Sequence, residues 1–236
     1  MDDKQLIHFN SKEQWNDRFL SKGPWDKKNG RTQTRVFAEF FNRKVTIPLK
    51  LFSLLDVGCA LGDALPVFKN KYPDAQLSGC DFSSVAIERC KEEFGSVASF
   101  FASSIEQING KWDIIYCSNT IEHFENPQEI AGILLKKCTI LYIMVPFEQM
   151  NRGLFLTKGV VNYDGHLCSF FTNSFDELIA KGSALKINYF TGDCPPAWGL
   201  TFFKKTLHVL GTIRPGRKFS NMFRFPKQII YEIYSK

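Results

Sequence analysis

The sequence predicts a layered α/β fold built around a mostly parallel sheet, and three observations carry this prediction. Five short apolar runs recur between residues 51 and 145, and segments with helical spacing of apolar residues separate most of them. Helices between consecutive strands form right-handed crossovers, so the strands run parallel and both faces of the sheet are covered. A chain of 236 residues, 44% hydrophobic and 23% charged, suits one such domain.

The predicted strands are short apolar runs, several of which end at a small or polar residue. The first ends at Gly58 and the second at Asp81. Two further runs after residue 182 complete the set. In chain order the predicted strands are 51–57, 76–80, 97–101, 112–117, 139–145, 185–190 and 228–234.

The predicted helices lie between these strands and end at residues that stop helices. Residues 63–71 precede a Tyr-Pro-Asp turn. Ser83 and Ser84 can cap a second helix, which ends at Gly95. A third is expected over residues 127–137 and a fourth over 173–181. Residues 147–171 have no clean period and are predicted to form a long loop or lid.

Composition and cysteine usage favour a cytoplasmic protein. The longest apolar run, residues 138–147, is about half a membrane span, so we expect no transmembrane helix. The first twenty residues carry seven charged side chains, unlike a signal peptide. Seven cysteines without a Cys-x-x-Cys pair predict reduced thiols rather than disulfides or a zinc cluster.

The turn after the first strand carries the motif that indicates function. Residues 56–62 read Asp-Val-Gly-Cys-Ala-Leu-Gly, and glycine allows a tight turn and a close approach of the backbone to a ligand. This segment resembles the (D/E)-x-G-x-G-x-G motif of the class I S-adenosylmethionine-dependent methyltransferases, with Ala60 where that family most often has glycine. A dinucleotide site is disfavoured, because its fingerprint would place Asp63 against a pyrophosphate at a helix N-terminus.

The resemblance covers residues 51–147 well and implies a Rossmann-like methyltransferase fold. It implies seven strands, the last one antiparallel, with helices on both faces. We expect one methyltransferase domain over residues 1–236. It would comprise an N-terminal helical cap (1–50), a cofactor-binding core (51–147) and an acceptor-side half (148–236) with a basic insert at about 191–227. The implied cofactor is S-adenosyl-L-methionine, and the product is S-adenosyl-L-homocysteine.

The resemblance also implies which residues hold the cofactor. Asp81 would accept hydrogen bonds from the ribose hydroxyls, and Phe82 would cover the adenine. Ser104 and Ile105 stand where the family often has an acidic residue. Two roles stay open: Asp56 could hold the methionine amine or cap backbone amides, and Arg31 could pair with the methionine carboxylate or lie on the surface. The predicted set is Arg31, Asp56, Gly58, Ala60, Gly62, Asp81, Phe82, Ser104, Ile105, Ser118 and Asn119.

The acceptor side is predicted from two histidines. Residues 122–127 resemble the E-H-x-x-x-P stretch of small-molecule methyltransferases, rather than the (D/N/S)-P-P-(Y/F) motif of enzymes that methylate base amino groups in DNA. Residues 165–171 resemble a G-H-x-x-x-(F/Y)-(T/S) stretch beside the acceptor pocket. A hydroxyl acceptor must lose its proton, and histidine is the commonest base, so Glu122, His123 and His166 are the catalytic candidates. Structural roles are the alternative.

A divalent metal at this place is the less favoured hypothesis. Small-RNA 2′-O-methyltransferases and some quinone O-methyltransferases have E-x-x-E-H here and bind such an ion. Asn119 replaces the first glutamate in this chain. Asn119, Glu122, His123 and His166 could still offer nitrogen and oxygen ligands, but we expect no metal.

The net charge of +6 lies in the last 34 residues, which hold eight Lys or Arg and one acid, Glu232. This basic part is a solvated lid, a contact for an anionic acceptor or membrane face, or a nucleic-acid surface. Nucleic acid is least favoured, because no recognised module accompanies the patch. The preferred acceptor is a sugar or glycan hydroxyl, free or nucleotide- or lipid-linked, in polysaccharide or glycoconjugate biosynthesis. The alternatives are a quinone- or phenol-type small-molecule O-methyltransferase and a non-catalytic cofactor-binding subunit.

Overall fold

The computed structural model describes residues 10–27, 29–147, 150–151, 154–155, 165–194 and 227–236. Seven of its strands form one sheet, and β6 and β7 form a separate pair. The strands are β1 (Ser53–Val57), β2 (Gln76–Asp81), β3 (Ser99–Ala102), β4 (Trp112–Ser118), β5 (Cys138–Pro146), β6 (Met150–Asn151), β7 (Leu154–Phe155), β8 (Ala184–Asp193) and β9 (Lys227–Ser235).

The large sheet has the strand order β3-β2-β1-β4-β5-β9-β8. Strands β1 to β5 pair in parallel, and β9 runs antiparallel to both β5 and β8. The predicted seven-stranded, mostly parallel sheet with an antiparallel last strand is therefore confirmed. The strand order reverses between β1 and β4. In open α/β sheets the crevice at such a reversal, outside the carboxyl ends of the strands, is where ligands bind.

Helices cover both faces of the sheet, as predicted. On one face α3, α4 and α5 pack in a core that includes Phe41, Phe68 and Tyr116. On the other face α6 and α7 pack with Ile115 and Leu141. The helices are α1 (Lys12–Phe19), α2 (Pro24–Lys27), α3 (Gly30–Lys44), α4 (Ala64–Lys71), α5 (Ser84–Phe94), α6 (Pro127–Leu135) and α7 (Asp176–Ala180), with a 3-10 turn at Ile121–His123.

The N-terminal helices are tied to the core by buried or half-buried ion pairs. Asp63, 1% exposed, accepts hydrogen bonds from Arg31 at 2.8 and 3.1 Å and from Arg35 at 3.0 and 2.6 Å. Arg89 of α5 bonds the carbonyl oxygen of Phe19 at 2.7 Å and the carboxylate of Asp26 at 3.1 Å. These contacts hold α1 to α3 over one end of the sheet.

Two predicted segments differ from the structure. The helix expected over 173–181 is shorter, because the backbone N–H of Phe171 bonds the Ser174 hydroxyl and residues 171–174 form a turn before α7. The loop expected over 147–171 contains the β6–β7 pair, and residues 156–164 within it lie outside the described residues. The basic insert lies outside them as well, over 195–226; its ends belong to β8 and β9.

The expectation of reduced cysteines is confirmed. All seven cysteines are free thiols, and six of them are buried. In the part of the chain that the structure describes, no helix has the length and apolarity needed to cross a membrane.

Candidate active site

A cavity lies beyond the carboxyl ends of β1, β2 and β4, where the strand order reverses. It encloses about 910 Å³ of space, its open mouth included. The loops after these strands form its floor, and residues of α1 and α2 form part of its wall. Seven predicted cofactor residues line it: Gly58, Ala60, Asp81, Phe82, Ser104, Ile105 and Asn119.

The loop after β1 has the backbone conformation that its residues suggest. Gly58 and Gly62 have φ angles of +74° and +77°, in the left-handed region that glycine tolerates best. A Cβ atom at Gly58 would lie 2.3 Å from the Thr120 hydroxyl oxygen. Ala60 is also left-handed, with φ +49°, and is held there because its N–H donates to Asp81 Oδ2 at 3.0 Å. The alanine therefore keeps the turn that the motif needs.

Asp81 presents a buried carboxylate to the cavity. Its side chain accepts hydrogen bonds from the backbone N–H groups of Ala60 at 3.0 Å and Ser83 at 2.9 Å, one on each oxygen. Burial raises the pKa of this carboxyl to about 6. Each carboxylate oxygen can accept more than one hydrogen bond. The arrangement suits a pair of hydroxyl donors.

Four predicted cofactor residues do not line the cavity. Asp56 is buried inside β1, where burial and then the charge of Asp81 raise its carboxyl pKa to about 8. Gly62 packs toward the side chains of α5 and β3, and Ser118 accepts a hydrogen bond from Asn119 Nδ2. Arg31 bonds Asp63, and Glu93 at 2.5 Å. Arg31 thus lies in an ion-pair network with Asp63 and Glu93 and is not among the residues that line the cavity.

Three aromatic side chains of α1 and α2 wall the cavity: Trp15, Phe19 and Trp25. Their rings pack edge to face or stacked at centroid distances of 5.3 to 6.1 Å. Trp25 is fixed from behind by Gly30, where a Cβ atom would lie 2.4 Å from the indole. The buried indole N–H of Trp25 has no hydrogen-bond acceptor among the described residues. It is therefore a donor that a ligand could satisfy.

The sequence reasoning missed other lining residues. Asn10 reaches the cavity from the N-terminal segment, and Thr120 and Phe124 reach it from the two ends of the 3-10 turn after β4. Only their places next to predicted elements could have indicated them. Glu106 also lines it, two residues beyond Ser104. An acid does therefore follow β3, two residues later than the position at which it was sought.

The three predicted catalytic residues come together at one side of the cavity. Their potential ligand or proton-accepting atoms, one each from Glu122, His123 and His166, all lie within 4.8 Å of one another. His123 lines the cavity. The His123 and His166 rings are 5.1 Å apart, and His166 Nε2 is 3.8 Å from Glu122 Oε1. We call these three residues the EHH cluster.

Backbone contacts fix the EHH cluster. His123 Nδ1 lies 3.0 Å from the carbonyl oxygen of Gly165, which can only accept, so Nδ1 carries the proton and Nε2 the lone pair. Asn10 donates to the same carbonyl at 3.0 Å, and the N–H of Leu167 donates to the carbonyl of Glu122 at 2.8 Å. The 3-10 turn and the loop at residues 165–168 thus form one unit.

The electrostatics of the EHH cluster favour neutral side chains at Glu122 and His166. Complete burial raises the pKa of the Glu122 carboxyl to about 8, and burial lowers the pKa of His166 to about 4. Both shifts favour the neutral forms and so disfavour an ion pair across the 3.8 Å between the two side chains. Both oxygens of Glu122 lack a hydrogen-bond partner among the described residues. Buried polar atoms without a hydrogen-bond partner are rare, so the Glu122 carboxyl is a candidate for contact with a ligand.

Comparison with known proteins agrees with this geometry. A family model described as a methyltransferase domain matches residues 8–181, whereas no curated protein sequence matches the chain. The solved structures that share its fold include magnesium protoporphyrin IX methyltransferase from Synechocystis PCC 6803 with bound SAH, at 15% identity and TM-score 0.59, covering 99% of this chain and 100% of that one.

Two further structures widen the range of chemistry on this fold. The plantazolicin methyltransferase in complex with SAH is 19% identical, with TM-score 0.52 and 99% of both chains covered. Coclaurine N-methyltransferase bound to N-methylheliamine and SAH is 13% identical, with TM-score 0.56, covering 86% of this chain and 72% of that one. At these identities the likeness concerns the fold. Because the family model spans most of the chain and the sheet has the expected order, the chain belongs to the methyltransferase domain family, with the fold of the class I S-adenosylmethionine-dependent enzymes.

Proposed function

We propose that this methyltransferase transfers the methyl group of S-adenosylmethionine to an acceptor hydroxyl. The observation that carries the proposal is one cavity with a buried carboxylate, Asp81, on one wall and an imidazole, His123, on another. The first suits the ribose of the cofactor, and the second suits an acceptor that must lose a proton. The sequences around both residues resemble those that the class I family uses for these tasks.

The cavity residues fit the parts of the cofactor. Asp81 would accept the two ribose hydroxyls, and Phe82 and Ile105 would flank the adenine. The left-handed loop at Gly58 and Ala60 lets the backbone approach the methionine part. No Lys or Arg stands among the described residues that line the cavity. Among those residues, the unsatisfied N–H of Trp25, whose side chain walls the cavity, is a neutral donor for the methionine carboxylate.

The chemistry then needs alignment and removal of one proton. S-adenosylmethionine supplies an electrophilic methyl group when bound. The acceptor oxygen forms the new bond to the methyl carbon as the carbon–sulfur bond breaks, and the electron pair stays on sulfur. The acceptor proton passes to the EHH cluster, where His123 Nε2 carries a lone pair on the cavity side of the 3-10 turn. Alignment of oxygen, carbon and sulfur supplies much of the rate.

Our preferred acceptor is a sugar or glycan hydroxyl, free or linked to an anionic carrier. The basic C-terminal part of the sequence supports an anionic carrier, and a cytoplasmic protein working near the inner membrane face would meet one. A quinone- or phenol-type acceptor is the second candidate, favoured by the aromatic wall of Trp15, Phe19 and Trp25. A non-catalytic cofactor-binding subunit is the third.

A ligand-binding panel tests the cofactor. Purified full chain would be titrated with S-adenosylmethionine, S-adenosylhomocysteine and NAD while thermal unfolding is followed. A ligand at a hundred times its dissociation constant stabilises the folded state by about 2.7 kcal/mol, which is readily measured. We expect stabilisation by the two adenosyl-sulfur ligands alone. Folded protein that responds to neither would overturn the proposal.

An acceptor panel tests the reaction. Nucleotide-linked sugars, simple glycosides, phenols and quinols would be supplied with S-adenosylmethionine, and release of S-adenosylhomocysteine would be followed. His123→Ala and His166→Ala should lose turnover while they keep affinity for S-adenosylhomocysteine. Turnover with phenols but not sugars would move the assignment to the second candidate. Cofactor binding with no turnover on any acceptor would favour the non-catalytic subunit.

A further inference from the structure

The edge of the sheet opposite the cavity carries a dense group of lysines. Strands β1, β4, β5 and β8 begin at this edge and β9 ends there, because β9 is antiparallel to both of its neighbours. We call residues 50–53, 109–113, 136–139, 181–186 and 234–236 the amino edge. Against one acid, Asp113, these segments hold seven lysines: Lys50, Lys111, Lys136, Lys137, Lys181, Lys186 and Lys236.

Most of these lysines face solvent, and several have no charged partner. All of them except Lys137 are exposed. Within the described part of the chain, no ion pair involves Lys50, Lys111 or Lys136. The carboxylate of Asp113 accepts hydrogen bonds from the backbone N–H and the hydroxyl of Ser53, at 2.7 and 2.9 Å. The amino edge thus presents an excess of positive charge to solvent.

A groove runs along the amino edge among these lysines. Lys111, Lys136 and Lys236 line it beside Thr139, and Asp113 is the one acid among its lining residues. The groove encloses about 1430 Å³ of space, open solvent included. A concave surface lined mainly by one sign of charge concentrates ions of the opposite sign. The groove is therefore suited to anionic groups such as lipid phosphates.

Two exposed leucines flank the lysines of the amino edge. Leu51 is 74% exposed and Leu185 is 64% exposed, the two highest values among the large apolar side chains that the structure describes. Leu51 precedes β1, and Leu185 lies near the start of β8, four strand positions further along the sheet, or about 19 Å. Single exposed leucines are common on protein surfaces. Two of them at the ends of a row of lysines form an amphipathic surface.

We propose that the amino edge docks on a bilayer surface that contains anionic phospholipids. Leu51 and Leu185 would enter the headgroup region, and the lysines would contact lipid phosphates. A lysine can lay its apolar stem against such a surface while its ammonium group stays in water. Nucleic-acid surfaces favour arginine and stacking aromatic rings. The amino edge has neither an arginine nor an exposed aromatic side chain, so the lipid surface is the better match.

Docking by the amino edge would turn the cavity away from the membrane. The cavity lies beyond the carboxyl ends of the strands, and the seven residues of β4 span about 20 Å. An acceptor would then reach the cavity from water and not from within the bilayer. This inference goes beyond the proposed function and does not depend on it, because the docking surface and the cavity share no residue.

Vesicle sedimentation tests this surface directly. Full chain would be mixed with vesicles of phosphatidylcholine alone, or of phosphatidylcholine with phosphatidylglycerol, and the bound fraction measured at low and high salt. We expect binding to the anionic vesicles only, weakened by salt. One lysine near an anionic surface contributes about fivefold to binding, so Lys111→Gln/Lys136→Gln should weaken it roughly tenfold or more. Leu51→Ser/Leu185→Ser should weaken it several-fold. These side chains are exposed, so the variants should fold.

Matched controls carry the same changes on the helices beside the cavity. Lys12→Gln/Lys27→Gln removes the same charge from exposed lysines of α1 and α2, and Leu20→Ser removes a leucine that is 50% exposed. Both controls should bind vesicles as the wild type does. Equal losses in controls and amino-edge variants would refute the proposal. So would binding that survives the amino-edge substitutions, or equal binding to vesicles of phosphatidylcholine alone.

Two further ligands separate this inference from its alternatives. If the wild type binds single-stranded RNA but no anionic vesicles, and Lys111→Gln/Lys136→Gln loses the RNA, the amino edge is a nucleic-acid surface and the proposal is wrong. Affinity for S-adenosylhomocysteine should be the same in the wild type and in both amino-edge variants. A wild type that binds anionic vesicles but no S-adenosylhomocysteine would support the docking surface and contradict the proposed function.

Discussion

At the scale of single residues, the cavity is defined by groups whose burial leaves them with unused hydrogen-bonding capacity. Asp81 has one backbone donor on each oxygen and can accept more. Trp25 has a buried N–H without an acceptor among the described residues. Buried polar groups are rarely left in this state. A ligand that donates to the Asp81 carboxylate and accepts from the Trp25 N–H would satisfy both groups.

Asp81→Asn should therefore weaken cofactor binding strongly. The amide cannot accept on its nitrogen, so it would set an N–H against the N–H of Ala60 or of Ser83 and lose charge-assisted bonds to the ribose. Hydrogen bonds to a charged group contribute about 1.5–3 kcal/mol each. We expect at least a tenfold rise in the dissociation constant of S-adenosylhomocysteine, measured by calorimetry. Asp74→Asn, at an exposed turn, is the control; equal affinities in the two variants would refute the role of Asp81.

Trp25→Phe should weaken the same ligand by a smaller factor. Phenylalanine keeps most of the packing against Phe19 and Gly30 but removes the indole N–H. Loss of one hydrogen bond of about 1 kcal/mol corresponds to about fivefold in affinity. Trp15→Phe is the matched control, because its ring walls the same cavity. If Trp25→Phe binds S-adenosylhomocysteine as tightly as the wild type does, the indole donates to something other than the cofactor.

At the scale of elements, the loop after β1 and the 3-10 turn after β4 are built against each other. Gly58 leaves just enough room for Thr120, and a Cβ atom there would lie 2.3 Å from Oγ1 and 2.6 Å from Cγ2. Asn119, just before, is left-handed with φ +48° and donates its N–H to Met144 at the end of β5. The cofactor side and the acceptor side of the cavity therefore meet at this contact.

Gly58→Ala should destabilise the protein by more than the cost of backbone strain. A left-handed L-residue costs about 1–2 kcal/mol, and the clash with Thr120 adds to it. Gly58→Ala/Thr120→Ala removes both clashing atoms, so we expect it to recover part of the lost free energy of unfolding in a double-mutant cycle by urea denaturation. Ala60→Gly, which relaxes a left-handed alanine at φ +49°, should fold and bind S-adenosylhomocysteine normally. Additive effects at positions 58 and 120 would contradict the contact.

The sequence predicted the individual elements well, but it did not predict the contacts between elements. Strand bounds and the loop at Gly58 follow from local patterns of apolar residues and glycines, and they were predicted closely. The partners of Arg31 depend on how α3 lies against α4, which no local pattern contains, and Arg31 bonds Asp63 instead of lining the cavity. Trp25, Thr120 and Glu106 were missed as cavity residues for the same reason.

At the scale of the whole molecule, the central sheet contains a buried carboxyl, that of Asp56, whose ionisation in the folded state is unfavourable. Asp56 lies in β1, the third of the seven strands in the sheet order, and is 3% exposed. Burial, with a smaller contribution from the charge of Asp81, raises the pKa of Asp56 from 3.8 to about 8. The folded protein thus keeps this carboxyl protonated at neutral pH, while the unfolded chain ionises it. Global stability is linked to pH through this residue.

The sign of that linkage gives the last prediction. Below the ordinary pKa of 3.8 both states are protonated; between 3.8 and about 8 only the unfolded state loses the proton. The contribution of Asp56 to the free energy of unfolding therefore falls as pH rises through this window, by about 1.4 kcal/mol per pH unit at most, and is flat above it. Asp56→Asn cannot ionise, so its stability should fall less steeply with pH in urea denaturation over the same window. Parallel pH profiles for Asp56→Asn and the wild type would mean that the folded protein ionises Asp56 as readily as the unfolded chain does.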